Sequence, residues 1–257
     1  MTTSTAPALA HGLTDQQVAE FHERGFVIKR AMYARPLMER LGLEIEGLHD
    51  REHRQPTPGA HLSWEEDLPA GRPPRIRQLM NSERVSPILD AMSRGEEMLS
   101  VMRQLIGPDL YLYHSKLMMK AAHDGTFTPW HQDWGYWQYD LKEPTQVNCM
   151  LHIDAADEEN GSLRFVVGSH KNGAVPHDRF QSDSFGIGLK GGLDAFPNEM
   201  IEMQPGDAVF FGSLVIHGSG PNASPRDRRA NTFAFDKAFN KQQGVMPEHM
   251  HRAGRKG

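Results

Sequence analysis

The feature that most constrains the fold is a change of hydrophobic rhythm near residue 109. From there on, short strand-like runs follow one another at 109–120, 145–154, 163–167, 199–203, 207–217 and 229–236, most of them separated by turn residues. No repeated helical crossover lies between them. The pattern therefore predicts an antiparallel double sheet or barrel rather than a parallel α/β sheet. A chain of 257 residues can form one such unit, and no internal repeat or linker interrupts it. We read a single domain over 1–257, with its β core at 109–238.

The preceding part reads differently. Thr14 and Gln17 have capping-box spacing, and Gly25 supplies a stop, which predicts a short first helix. Phe26, Val27 and Ile28 then suggest a strand, while Leu37, Leu41, Ile45 and Leu48 recur at helical spacing, as do Leu99, Met102, Leu105 and Ile106. Residues 13–108 are thus expected to be mainly helical support. Within them, 51–74 carry Pro56, Pro58, Gly59, Pro69, Gly71, Pro73 and Pro74, the composition of a long surface loop. Residues 1–12 and 239–257 read as polar tails. The Gly-containing segment 171–198 is either an excursion at the barrel rim or a movable cover over a site.

Charge and cysteine content narrow the partners. A formal net charge of −5 argues against broad attraction to nucleic acid or an anionic membrane. Cys149 is the single cysteine, which excludes an intramolecular disulfide and a cysteine-rich zinc site and agrees with a reducing cytosol. The opening MTTSTAPALAHG lacks the basic and apolar regions of a signal peptide, and no stretch is long enough to span a membrane. These features suggest a cytoplasmic protein acting on a small molecule; they do not fix its oligomeric state.

The chemistry concentrates in Pro129-Trp130-His131-Gln132-Asp133-Trp134. On an extended backbone, residues two apart point to one side, so His131 and Asp133 are placed to offer a nitrogen and an oxygen to one metal ion. His217, closing the apolar run Leu214-Val215-Ile216, is the candidate third ligand. Two imidazoles and one carboxylate leave three positions open on an octahedral ion, the arrangement of non-haem Fe(II) oxygenases. A chelating 2-oxo acid takes two of those positions and O2 the third. His-x-Asp alone is a weak motif; the support comes from Arg228, eleven residues after His217 beyond a Gly-Ser-Gly-Pro-Asn turn.

If His217 and Arg228 lie on adjacent antiparallel strands, the guanidinium points into the barrel that holds the iron. Its fork of donors matches the distal carboxylate of 2-oxoglutarate. Arg226 and Arg229 are read as solvated turn charges. Ser219 either adds a hydroxyl to that carboxylate or stabilises the turn, and Asn148, in the alternating QVNCMLHID, either faces the cosubstrate or makes a structural hydrogen bond.

These residues resemble the phytanoyl-CoA dioxygenase family, which includes ectoine hydroxylase. The similar stretches are LTDQQVAEFHERGFVIKR, WHQD, EENGSLRFVVGSHK and PGDAVFFGSLVIHGSGPNASPRDRR. The resemblance implies a double-stranded β-helix, a cupin-like jelly roll that is mainly β with flanking α-helices. It implies iron at His131, Asp133 and His217, with Arg228 and Ser219 at 2-oxoglutarate. It also implies a substrate-contacting aromatic residue six positions after the first ligand, where Trp137 stands.

The chain departs from the ectoine enzymes at Tyr113–Lys120, so ectoine itself is not carried over, and nothing indicates a coenzyme A pocket. Lys116 and Lys120 suggest a polar or carboxylated substrate, with an exposed strand-edge charge as the alternative for each. Trp134 and Trp137 suggest an aromatic wall, with core packing as the alternative. The expected reaction is hydroxylation of an aliphatic carbon with release of succinate and CO2. The carboxylate ligand Asp133 favours hydroxylation over halogenation, which needs that position vacant for halide. Rival readings are desaturation, epimerisation or rearrangement at the same centre, and a non-catalytic jelly-roll binding protein.

Overall fold

The computed structural model describes residues 11–55, 57–58, 61–65, 71, 75–123, 125–179, 187–238 and 240–241. The expected tails fall almost wholly outside these residues, as do 180–186 within the segment expected to form a rim or cover.

In chain order the elements are α1 (Asp15–Arg24), β1 (Phe26–Lys29), α2 (Arg35–Arg54), β2 (His61–Trp64), β3 (Ile76–Met80), α3 (Pro87–Arg94), α4 (Glu96–Ile106), β4 (Leu110–Lys120), β5 (Thr128–His131), α5 (Trp134–Trp137), β6 (Val147–His152), β7 (Leu163–Phe165), β8 (Asp178–Arg179), β9 (Ile187–Gly188), β10 (Glu199–Met200), β11 (Ala208–Gly212), β12 (His217–Ser219) and β13 (Arg228–Lys237). The capping box forms as expected: Gln17 N–H donates to the Thr14 hydroxyl, and Thr14 N–H donates to the Gln17 side chain. Gly25 ends α1 at φ 88°, a left-handed conformation that glycine adopts without a Cβ clash.

A seven-stranded sheet in the order β1-β11-β6-β13-β4-β3-β2 faces a four-stranded sheet in the order β10-β7-β12-β5. Strand alternation divides the large sheet into two faces. Leu117, Cys149, Leu151, Phe210, Phe233 and Phe235 pack outward against Met38, Leu41, Ile45, Leu89, Met98 and Val101 of the helices. Met150, Val209, Phe211 and Ala230 point inward, against Leu163 and Phe165 of the small sheet. Each Leu, Ile, Val, Met or Phe among them contributes about 1.5–3 kcal/mol when buried. The arrangement is the expected jelly roll with helices on one side. No helix among the described residues is long and apolar enough to cross a membrane.

Two expectations need correction. The loop expected over 51–74 begins later, because α2 runs on to Arg54, where Glu52 is buried and accepts from Thr57 N–H and hydroxyl. The mainly helical 13–108 also contributes β2 and β3 to the large sheet, with β2 pairing only with β3 at its edge. Tertiary pairing recruits HLSW and IRQLM, which are too short to show a distinct period by themselves.

Candidate metal centre

His131 closes β5 and His217 opens β12, and the antiparallel register sets them opposite one another with ring centroids 4.2 Å apart. Asp133 does not share an extended backbone with His131, as the spacing had suggested. Its φ of −59° and ψ of −30° place it on the turn into α5, and that turn swings the carboxylate back toward the imidazoles. Nδ1 of His131 lies 2.8 Å from the Pro129 carbonyl, and Nδ1 of His217 lies 3.0 Å from that of Val215. Protonation at Nδ1 satisfies both contacts and directs Nε2 inward.

Nε2 of His131 is 3.5 Å from Asp133 Oδ1, and Nε2 of His217 is 3.8 Å from Oδ2. Both spacings are shorter than the ~4.2 Å separating donors on opposite sides of one ion with bonds of about 2.1 Å. Among the described residues, His131, Asp133 and His217 form the one His/Cys/Asp/Glu group placed to hold a metal.

The electrostatics suit a cation. Burial opposes the charge of Asp133, but His217 and His131 more than offset this and hold its carboxyl well below the usual range. Burial, then His131, pushes His217 down to about 4, so its ring is neutral near pH 7, as a metal ligand must be. Asn148 donates from Nδ2 to Asp133 Oδ2 at 2.8 Å, so its amide serves the carboxylate ligand. Two imidazoles and a carboxylate fixed in this way fit a ferrous ion with open positions.

Arg228 opens β13 and is buried. His217 and Arg228 do not occupy adjacent strands: β12 pairs with β5 and β7, whereas β13 pairs with β4 and β6. The turn between them carries the chain from the small sheet to the large one. Arg228 shares the inward face of β13 with Ala230, opposite His152 of β6. Nη2 of Arg228 lies 3.3 Å from the Gly161 carbonyl, while Nε and Nη1 are buried without a hydrogen-bond partner among the described residues. Burial brings this guanidinium down to about 10, still charged near neutrality. A buried cation with two unmatched donors fits an anionic ligand.

Ser219 is buried at the end of β12. Arg226 pairs with Asp157 and Glu159, as a turn charge does, but Arg229 is no solvated charge, since Asp154, Glu46 and the Gly42 carbonyl enclose it. The two lysines part company. Lys120 donates to the carbonyls of Thr126 at 2.6 Å and Gly220 at 2.5 Å, which ties down the crossover turn. Lys116 is half-buried, acts electrostatically on Asp133 and His217, and makes no hydrogen bond or ion pair among the described residues.

Trp137 packs edge-on against Tyr113 and His114 at 5.6 and 5.4 Å, and against Leu141 and Ala234. Trp134 joins the border of that cluster. Three further residues had escaped notice. Gln132 donates to the carbonyls of Gly173 and Leu214 and accepts from Val175 N–H, while its own N–H donates to His177 Nε2 at 2.8 Å. Gln132 and His177 thus clamp 173–177 onto the ligand strand, and no feature of a single sequence marks such a pair. His152 is the third, and its signal was present: the alternation that turns Asn148 inward turns His152 inward too.

The phytanoyl-CoA dioxygenase (PhyH) family model matches residues 13–230. An ectoine dioxygenase from Bordetella parapertussis is 26% identical over 96% of this chain and 84% of its own length. An L-proline trans-4-hydroxylase from Streptomyces griseoviridis is 26% identical over 64% of this chain and 69% of its own. Among solved structures, EctD from S. alaskensis with 2-oxoglutarate and 5-hydroxyectoine has a TM-score of 0.76 at 16% identity, covering 99% of this chain and 88% of that one.

Proposed function

The chain belongs to the phytanoyl-CoA dioxygenase family, and from that premise we propose that it hydroxylates an aliphatic carbon of a small carboxylated metabolite, with release of succinate and carbon dioxide. It is an oxygenase that works with Fe(II), 2-oxoglutarate and O2. The observation that carries the reading is the pairing of a His131–Asp133–His217 cluster with Arg228, whose buried Nε and Nη1 have no hydrogen-bond partner among the described residues.

His131, Asp133 and His217 would hold the iron, and Arg228 with Ser219 would hold the distal carboxylate of the oxo acid. The iron and oxo acid would supply the activation of dioxygen, one oxygen atom going to succinate and the other to the hydroxyl group of the product. The protein supplies position. Asn148 fixes the plane of the Asp133 carboxylate, and the two Nδ1 contacts fix the ring planes of the histidines. Lys116 offers an ammonium to a substrate carboxylate beside the metal, and Trp137, Tyr113 and His114 give the substrate an apolar wall. The relatives named for ectoine and L-proline support a substrate of metabolite size.

The test is anaerobic loading with Fe(II) and 2-oxoglutarate, followed by a screen of carboxylated metabolites for succinate release. A weak visible charge-transfer absorption and substrate-stimulated succinate are expected, and both should vanish in His217→Ala. Failure of the wild-type protein to show either, at verified iron occupancy, would refute the reading.

A further inference from the structure

On β6, Asn148, Met150 and His152 share one face. Asn148 reaches the metal ligand Asp133, and Met150 belongs to the core between the sheets. His152 therefore also points into the barrel. Its cross-strand neighbour is Ala230, two residues from Arg228 on the same face of β13, and the small methyl of Ala230 leaves the imidazole and guanidinium facing each other diagonally.

His152 is 0% exposed, and neither ring nitrogen has a hydrogen-bond partner among the described residues. The same holds for Nε and Nη1 of Arg228. Four buried, unmatched polar atoms on two neighbouring side chains are not scattered packing faults, because folded chains pair nearly all such atoms. Burial, then Arg228 and Arg30, drives the His152 ring down to about 3, so it is a neutral imidazole with one N–H to give. A carboxylate has about four lone-pair sites. Arg228 Nε and Nη1, the Ser219 hydroxyl and one His152 nitrogen supply four donors.

We propose that His152 is a cosubstrate-specificity residue: its ring N–H donates to the distal carboxylate of 2-oxoglutarate beside Arg228, and its place on β6 limits the chain length of the oxo acid accepted. The assignment rests on the function proposed above. The longer 2-oxoadipate would drive its terminal carboxylate into the His152 ring. Pyruvate has no distal carboxylate and does not reach it.

Calorimetric titration of the anaerobic Fe(II)-loaded protein with 2-oxoglutarate, 2-oxoadipate and pyruvate tests this, with no turnover needed. In His152→Leu the 2-oxoglutarate dissociation constant is expected to rise about tenfold, the effect of one hydrogen bond to a charged group. Pyruvate binding should stay unchanged, and discrimination against 2-oxoadipate should narrow. His152→Gln, which restores an N–H donor, should recover most of the loss. The metal-free His152→Leu protein should melt no lower than wild type, because an apolar side chain there replaces an unmatched polar one. Unchanged 2-oxoglutarate affinity in His152→Leu, equal losses for 2-oxoglutarate and pyruvate, or no recovery in His152→Gln would each overturn the assignment alone. Absence of 2-oxoglutarate binding by the wild-type protein would instead bring down the functional reading beneath it.

Discussion

Asn148 Nδ2 lies 2.8 Å from Asp133 Oδ2, a hydrogen bond that joins the large sheet to the ligand-bearing turn of the small one. The contact holds the carboxylate of the candidate metal site in one orientation. Asn148→Leu removes it and leaves the three ligands in place. Iron affinity is expected to fall by about 10- to 100-fold, as for other residues that orient metal ligands. Competition titration against a chelator measures this, and wild-type affinity in the variant would remove Asn148 from the site.

Arg228→Ala should weaken 2-oxoglutarate binding by at least about 100-fold, since two or more charge-assisted hydrogen bonds disappear together. Iron affinity should stay within about threefold of wild type. Arg228→Lys should recover little, because a lysine lacks the planar fork. Parallel titrations of metal and oxo acid check the separation; a common loss of both would refute it.

Iron itself should stabilise the fold. Free Fe(II) at 100 times its dissociation constant adds about 2.7 kcal/mol if the unfolded chain does not bind it. The melting temperature should rise accordingly and fall again on chelation, while His217→Ala should show no such shift. Anaerobic thermal melts decide the matter.

His152 also predicts how the metal-free protein responds to acid. Its folded value of about 3 lies below the ~6.5 of an unfolded histidine. Between those values the unfolded chain binds a proton that the folded state refuses, so stability is present above pH 6.5 and falls as the pH drops toward 3. One such proton amounts to about 2 kcal/mol between pH 6.5 and 5. His217, at about 4, adds a similar slope when no metal is bound. Urea unfolding at pH 7 and pH 5 should therefore show a smaller loss for His152→Leu than for wild type. Identical losses would mean that the ring is not neutral in the fold.

Gly161 has φ +73°, and a Cβ built there would lie 2.4 Å from the Gly220 carbonyl oxygen. Gly161→Ala is expected to destabilise the protein by about 1–3 kcal/mol through strain and clash. Because the Gly161 carbonyl lies against Arg228, 2-oxoglutarate affinity should fall as well. Denaturant unfolding and oxo-acid titration would show these effects, and a silent substitution would mean that the turn yields freely.

Much of the site was readable along the chain because chemistry there is local to residue type. His131, Asp133, His217 and Arg228 stood out as a set of two imidazoles, a carboxylate and a guanidinium, with His217 and Arg228 each beside a strand-like run. The route by which they meet was less legible. Asp133 arrives by a helical turn, and Arg228 lies in the other sheet from His217. Both facts depend on backbone direction after the ligand strand, to which side-chain periodicity is blind.

The amino-acid order by itself determined the rhythm of strands after residue 109, the helix cap at Thr14 and which residues are candidate metal donors, since these follow from period, local hydrogen bonding and functional groups. Tertiary structure alone decided that Lys120 ties down a turn while Lys116 feels the charge of Asp133, that β2 and β3 extend the large sheet, and that His152 shares an inner face with Arg228. Which polar group finds a partner, and which waits for a ligand, depends on neighbours remote in the chain. Burial removes the water that would otherwise make all of them equivalent.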